Sequence, residues 1–185
     1  MTKIKSICVY CGSSNDVSPG YIALADELGK TLAKAKIRLV YGGGNVGLMG
    51  ATARAAHGAG GNVLGIIPKF LLDHERLYED VEHRIVDDMH TRKQMMFDES
   101  DAFIVLPGGI GTLEEAVEML SWARLGLHHK PMAFLDEDGF WSPFFDLMDH
   151  IIEGKFTPES FKTMLIHTDT PQKAIKALKE SIYAI

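Results

Sequence analysis

Pro107-Gly108-Gly109-Ile110-Gly111-Thr112-Leu113-Glu114-Glu115 is the stretch around which the chain is organised. An apolar run, Ala102 to Leu106, leads into it, and an amphipathic run, Leu113 to Leu127, leads out. This predicts a strand, a glycine turn and a helix. Three glycines within four residues let the backbone come close to a ligand. The first N–H groups of a helix have no intrahelical partner, and such a helix start is a natural site for a phosphate or carboxylate. Gly108, Gly109, Gly111 and Thr112 are therefore the expected phosphate cradle. The plainer reading is a tight turn with Thr112 as helix cap. No lysine follows the last glycine, so this is not the loop of a nucleoside-triphosphate site.

Glu115 carries two readings. Thr112-x-x-Glu115 has the spacing of a capping box, in which the glutamate reaches back to the cap backbone. Against that, a carboxylate beside a bound phosphate costs Coulomb energy that a helix dipole only partly offsets. Such a group is better used on sugar hydroxyls or on a proton. Glu114 and Glu118 are expected on a different, solvated face.

The same alternation runs along the whole chain. Strands are expected at 4–10, 37–41, 62–67, 82–87, 102–106, 130–135 and 163–167, with helices at 19–34, after 42–50, and at 89–100, 113–127, 140–153 and 170–182. The stretch from Lys69 to Asp80 reads as a loop or short helix. Strand and helix in turn mean a parallel sheet covered on both faces. The expectation is one α/β domain over residues 1–185, a Rossmann-like doubly wound fold. Ligands bind such folds at the carboxyl ends of the strands. Three small-residue loops follow strands, at 11–15, 42–50 and 107–112. Their convergence makes Ser13 and Gly43 candidates for substrate contact. The dinucleotide fingerprint is absent after the first strand, which argues against a nicotinamide enzyme.

Arg92 and Lys93 share the short helix after Asp88 and Met89. Either they form a solvated surface pair, or one of them neutralises a phosphate or meets a base. Arginine offers a planar fork suited to both tasks. Asp88 most simply caps the helix and could also touch a ligand, and Met89 suits an apolar base pocket or a dimer surface. His128 and His129 sit in a helix-ending turn and are weaker catalytic candidates.

Composition narrows the classes. The 185 residues are 46% hydrophobic and 24% charged, with a net charge of −6. A negative chain is a poor general binder of nucleic acid or acidic membrane. Cys8 and Cys11 form a CxxC by spacing, but two positions three apart on a strand face opposite sides, and no second pair completes a metal set. They read as small, partly buried cytosolic thiols. No metal or organic cofactor is expected. Neither a signal peptide nor a membrane span is expected, and the cytoplasm is the default.

At this point the motifs resemble one family, in order and over nearly the whole chain. Cys11-Gly12-Ser13-Ser14, Tyr41-Gly42-Gly43-Gly44, Gly47-Leu48-Met49-Gly50, Met89-His90-x-Arg92-Lys93 and Pro107-Gly108-Gly109-x-Gly111-Thr112-x-x-Glu115 are similar to those of the LOG ("Lonely Guy") proteins. The continuation through Ser121-Trp122 to Gly126-x-His128-x-Lys130-Pro131 agrees. These are cytokinin-activating phosphoribohydrolases, many of them long mislabelled lysine decarboxylase. The resemblance implies hydrolysis of the N-glycosidic bond of a nucleoside 5′-monophosphate, releasing an adenine-type base and ribose 5-phosphate. It implies that Glu115 and Arg92 are catalytic and that the glycine loop holds the phosphate. It also implies a homodimer or larger homo-oligomer. A further substrate-contacting acid falls between Leu71 and Glu82, with Glu79 a candidate.

Elementary chemistry agrees. Breaking a C–N bond at an anomeric carbon builds positive charge on the ribose, as in glycoside hydrolysis. A carboxylate can stabilise that charge or activate water, and the departing purine needs a proton or hydrogen bond, a task within reach of Arg92. A literal lysine decarboxylase would need pyridoxal phosphate on a lysine, and no lysine is placed for it. A non-catalytic nucleotide-binding module would lack Glu115 or Arg92. An AMP nucleosidase is not separable by motif, because the N6 substituent is read by pocket shape.

Overall fold

The computed structural model describes residues 4–182. Met1 to Lys3, part of the stretch read for a leader, and Tyr183 to Ile185 lie outside the described residues. The strands are β1 (Ser6–Tyr10), β2 (Arg38–Tyr41), β3 (Val63–Pro68), β4 (Glu82–Val86), β5 (Ala102–Val105), β6 (Met132–Leu135) and β7 (Ile166–Thr168). The helices are α1 (Pro19–Lys34), α2 (Gly47–Gly58), α3 (Leu72–Glu75), α4 (Met89–Asp98), α5 (Ile110–Arg124), α6 (Ser142–Glu153) and α7 (Pro171–Ile182).

All seven strands lie in one parallel sheet of order β4-β3-β2-β1-β5-β6-β7. The chain builds outward from β1 to β4, then returns to place β5 on the other side of β1. The carboxyl ends of β1 and β5 therefore flank the switch in strand order, where open α/β sheets take ligands. This is the doubly wound architecture expected from the alternation.

Two faces are covered because side chains alternate along each strand. Ile7, Val9, Ile104, Ala133 and Leu135 point to the face packed by α1, α2 and α7, through Leu28, Leu32, Ala53, Ala56 and Leu178. Cys8, Tyr10, Phe103, Val105 and Phe134 point to the face packed by α4, α5 and α6, through Met96, Met119, Leu120 and Phe144. Each fully buried Leu, Ile or Phe contributes about 1.5–3 kcal/mol. Cys8 and Cys11 fall in different clusters and are free and buried. Edge strand β4 has one well-buried residue, Val86, and leaves Ile85 46% exposed.

Several boundaries differ from the sequence reading, and helix α5 also ends three residues early, at Arg124 rather than Leu127. Helix α5 begins at Ile110 rather than Leu113. The difficult stretch resolves into a 3-10 turn, Lys69–Leu71, and the single turn α3. The last strand starts at Ile166, because Glu159–Met164 forms a 3-10 helix that absorbs Thr163 and Met164. Thr170 and Pro171 begin α7 as expected, with Thr170 Oγ1 accepting from Lys173 N–H at 3.3 Å.

Candidate active site

The loops after β1 and β5 touch. Gly12 N–H donates to Pro107 C=O at 3.0 Å, and a Cβ at Gly108 would overlap Thr112 Oγ1 while coming within 2.8 Å of Gly12 N. Only a residue without a side chain lets the two loops and the start of α5 meet.

The early start of α5 overturns the capping box. Gly109 is the N-cap, with extended backbone and no side-chain cap bond. Thr112 is thus the third helical residue, and Glu115 lies most of two turns in. The first intrahelical bond runs from Leu113 N–H to Gly109 C=O at 3.0 Å. The N–H groups of Ile110, Gly111 and Thr112 precede that ladder and have no intrahelical partner. Spacing alone points to a later start because glycine at 111 disfavours helix.

The other glycine-loop helix start is already satisfied. Gly47 N–H donates to Asn15 Oδ1 at 2.8 Å, and Leu48 and Met49 N–H both donate to Gly12 C=O. Helix α4 is capped by Asp88, whose Oδ1 accepts from Thr91 N–H at 2.8 Å. Of these three starts, α5 alone is without a local partner for its first donors.

A cavity of about 560 Å³ opens there, lined among others by Ser13, Met89, Arg92, Gly109, Gly111, Thr112 and Glu115. Gly43, Gly108, Asp88 and Lys93 are not on its wall. Gly43 instead accepts from Tyr78 N–H through its carbonyl, and Gly108 acts behind the wall as a packing residue. Lys93 turns away to Glu114 at 2.6 Å and Glu118 at 2.9 Å. Those two glutamates are therefore engaged rather than merely solvated.

Arg92 is only 5% exposed. Its Nε donates to Ile66 C=O at 3.1 Å and its Nη2 to Gly42 C=O at 3.0 Å. A side chain at Gly42 would overlap the guanidinium. The backbone ends of β2 and β3 thus fix the arginine's orientation, leaving Nη1 beside Met89 Sδ at 3.9 Å.

Two carboxylates share this corner. Glu75 Oε2 lies 3.6 Å from Arg92 Nη2 and has no hydrogen-bond donor, and burial raises the Glu75 pKa against the pull of Arg92. Burial likewise pushes Glu115 up to about 7, with Arg92 opposing and the charges of Glu114 and Glu75 reinforcing it. A carboxylate poised near neutrality in a cleft is suited to proton handling.

Glu75 is a cavity acid that the sequence motifs do not single out. Glu79 is exposed and off the cavity, whereas Glu75 lies on its wall. The strap that carries it is pinned by Asn45 N–H to the carbonyls of Glu75 and Arg76 (2.9 and 2.7 Å) and by an isolated bridge between Gly44 and Leu77. The available signal was the glycine loop, which needs such a partner. His128 is no site residue: it is buried, donates from Nε2 to Met119 C=O at 2.9 Å and accepts Lys130 N–H at Nδ1.

Among the described residues no group of three or more His, Cys, Asp or Glu could hold a metal ion. No helix there is long and apolar enough to cross a membrane.

Fold and site together define a Rossmann-like α/β protein whose switch-point cavity sets an uncapped helix start beside an arginine and the carboxylates of Glu75, Glu114 and Glu115. The chain belongs to the LOG family, whose model, described as "Possible lysine decarboxylase", matches residues 49–178. It is 44% identical over 180 residues to the probable cytokinin riboside 5′-monophosphate phosphoribohydrolase LOGL2 of Oryza sativa subsp. japonica, covering 97% of this chain and 74% of that one. It is 43% identical over 180 residues to the cytokinin riboside 5′-monophosphate phosphoribohydrolase LOG3 of Arabidopsis thaliana, covering 97% and 84%. Among solved structures, the molybdenum cofactor binding protein of Rippkaea orientalis superposes with a TM-score of 0.74 at 23% identity, covering 98% of this chain and 99% of that one. A Moco carrier protein from Chlamydomonas reinhardtii gives 0.72 at 20%, covering 99% and 100%. These two likenesses are of fold alone.

Proposed function

We propose that this single-domain protein hydrolyses the N-glycosidic bond of an adenosine 5′-monophosphate carrying an N6 substituent, releasing the free base and ribose 5-phosphate. The observation that carries the reading is the shared wall: Arg92 and Glu115 line the same cavity as the uncapped start of α5. The substrate class rests on the relatives, which are named for cytokinin riboside 5′-monophosphates. No lysine lies on that wall, which disfavours Schiff-base decarboxylation.

In this reading the 5′-phosphate sits on the N–H groups of Gly109 to Thr112, with Gly108 shaping the turn. Remote phosphate binding positions the ribose for reaction. Glu115 faces the ribose and takes a proton from water as its oxygen bonds to C1′. The C1′–N9 bond breaks with its electron pair on the base, where Arg92 stabilises the developing charge until the base takes up a proton from solvent and Glu115 gives up the one it took from water. Ser13, Gly43, Asp88, Met89 and Lys93 complete the proposed substrate surroundings, the first and fourth by contact and the others by shaping or holding the wall. Glu75 joins them beside Arg92. No cofactor takes part, and the reaction belongs in the cytoplasm.

The protein is further proposed to act as a homodimer or larger homo-oligomer through the α4–α5 side. Ile110, Val117 and Leu125 on and after α5 are 83%, 41% and 66% exposed, apolar positions that share this face with Glu114 and Ser121. A monomer by light scattering with full activity would contradict this.

The test of function is incubation with AMP, isopentenyladenosine monophosphate and the two unphosphorylated nucleosides. Base and ribose 5-phosphate are expected from the nucleotides, faster from the N6-substituted one. Preference for AMP would make the protein an AMP nucleosidase instead. Equal rates with and without phosphate would remove the cradle assignment.

A further inference from the structure

Lys93 is one residue from Arg92, yet it does something different. Consecutive helical residues point about 100° apart. Arg92 faces the cavity, while Lys93 faces α5, is only 8% exposed, and lies 2.6 Å from Glu114 and 2.9 Å from Glu118. Glu114 in turn is one residue from Glu115. The ion pair thus lies alongside the two proposed reactive groups, joining their helices at the same level. Burying an ammonium is costly unless it is paired, and here it has two carboxylates, one of them (Glu118) with an oxygen that finds no other partner.

Resting on the hydrolase reading above, we propose that Lys93 is a positioning residue: it clamps α4 to α5 and so holds Arg92 and Glu115 at a working separation without touching the nucleotide. Two observations set this apart from a substrate contact. Lys93 is missing from the cavity wall, and its charge is already engaged by two acids. The clamp also shapes the field at Glu115. That carboxylate is faced by Arg92 and Lys93 from α4, Glu75 from α3, Glu114 of its own helix, Cys8 and Tyr10 of β1, and Cys11 just after that strand. Losing the ammonium removes a cation and leaves Glu114 and Glu118 unopposed, so the proton on Glu115 is held more tightly.

The experiment compares wild type, Lys93→Met, Lys93→Arg and Glu118→Gln with AMP as substrate. A misplacement of about 1 Å costs on the order of 100-fold in rate. Lys93→Met is therefore expected to lose roughly 10- to 100-fold in kcat at unchanged KM, with the acidic limb of its pH–rate profile moved to higher pH. Lys93→Arg should restore both, and Glu118→Gln, which leaves one carboxylate on the lysine, should lower kcat by less at unchanged KM. If Lys93→Met does not fold, Glu118→Gln and Lys93→Arg decide the matter. A raised KM with unchanged kcat would make Lys93 a substrate ligand and overturn the proposal, as would wild-type kcat and pH profile in Lys93→Met or, where that variant does not fold, in Glu118→Gln. An inactive wild type would overturn the hydrolase reading itself, a separate result.

Discussion

Glu75 Oε2 and Arg92 Nη2 lie 3.6 Å apart, and the carboxylate oxygen has no hydrogen-bond donor. The arginine spends its Nε and Nη2 donors on the carbonyls of Ile66 and Gly42. The acid is therefore held beside a cation that attracts it without satisfying it. Its negative charge also helps raise the proton affinity of Glu115. Glu75→Gln is expected to move the acidic limb of the kcat/KM profile to lower pH, because one anion near Glu115 is gone. An unmoved limb would break the electrostatic link between the two acids.

Glu115 itself sets a rate window. With its pKa pushed up to about 7, and the carboxylate as the active form, kcat/KM should fall as pH drops below about 7. Glu115→Gln should bind AMP, fold normally and lose turnover by at least about 100-fold, on the scale of a lost general base. Retained activity would return Glu115 to a structural role.

The same shift predicts stability. A carboxyl whose folded pKa is raised from 4.5 to about 7 stabilises the fold below about pH 4.5, and that contribution is lost as pH rises through about 7. Glu115→Gln should therefore be more stable than wild type at pH 8, by up to about 3 kcal/mol, with the difference vanishing near pH 4. Urea midpoints at the two pH values measure this. Equal midpoints throughout would mean that the site does not strain its acid.

Gly108→Ala tests the contact between loops. The added methyl meets the Thr112 side chain and the Gly12 backbone. The start of α5 must shift, so KM for AMP is expected to rise at least about tenfold, with a loss of about 1–3 kcal/mol in stability typical of overpacking. A variant with wild-type KM would show that the cradle tolerates displacement.

His128 separates burial from catalysis. Burial lowers its pKa below 6.5, so its contribution to stability is full above about pH 6.5 and is lost as pH falls. His128→Gln should flatten stability below pH 6.5 and leave kcat/KM unchanged. A tenfold drop in kcat/KM would reopen a catalytic role.

Much of this was legible in order along the chain. All seven strands and the doubly wound topology followed from alternating apolar runs, since a sheet buried on both faces leaves so little choice. The cavity's two main groups, Arg92 and Glu115, were named from motif and chemistry. What escaped was non-periodic. Glu75 sits on a strap shaped by hydrogen bonds to the loop at Asn45, and no hydrophobic rhythm marks it. At the start of α5, glycine propensity and the capping-box spacing agree on a residue that is not the first of the helix. Lys93 was placed with Arg92 because neighbours in sequence share a helix, though they do not share a face.

Helix α5 begins on a glycine with no side-chain cap. In the proposed reaction this makes the ligand a part of the secondary structure, since a bound phosphate terminates the helix. The sugar phosphate keeps that bond after glycosidic cleavage, whereas the base keeps none. Departure is therefore expected to be ordered, base first and ribose 5-phosphate last, with inorganic phosphate expected to compete with the substrate and to raise the melting temperature.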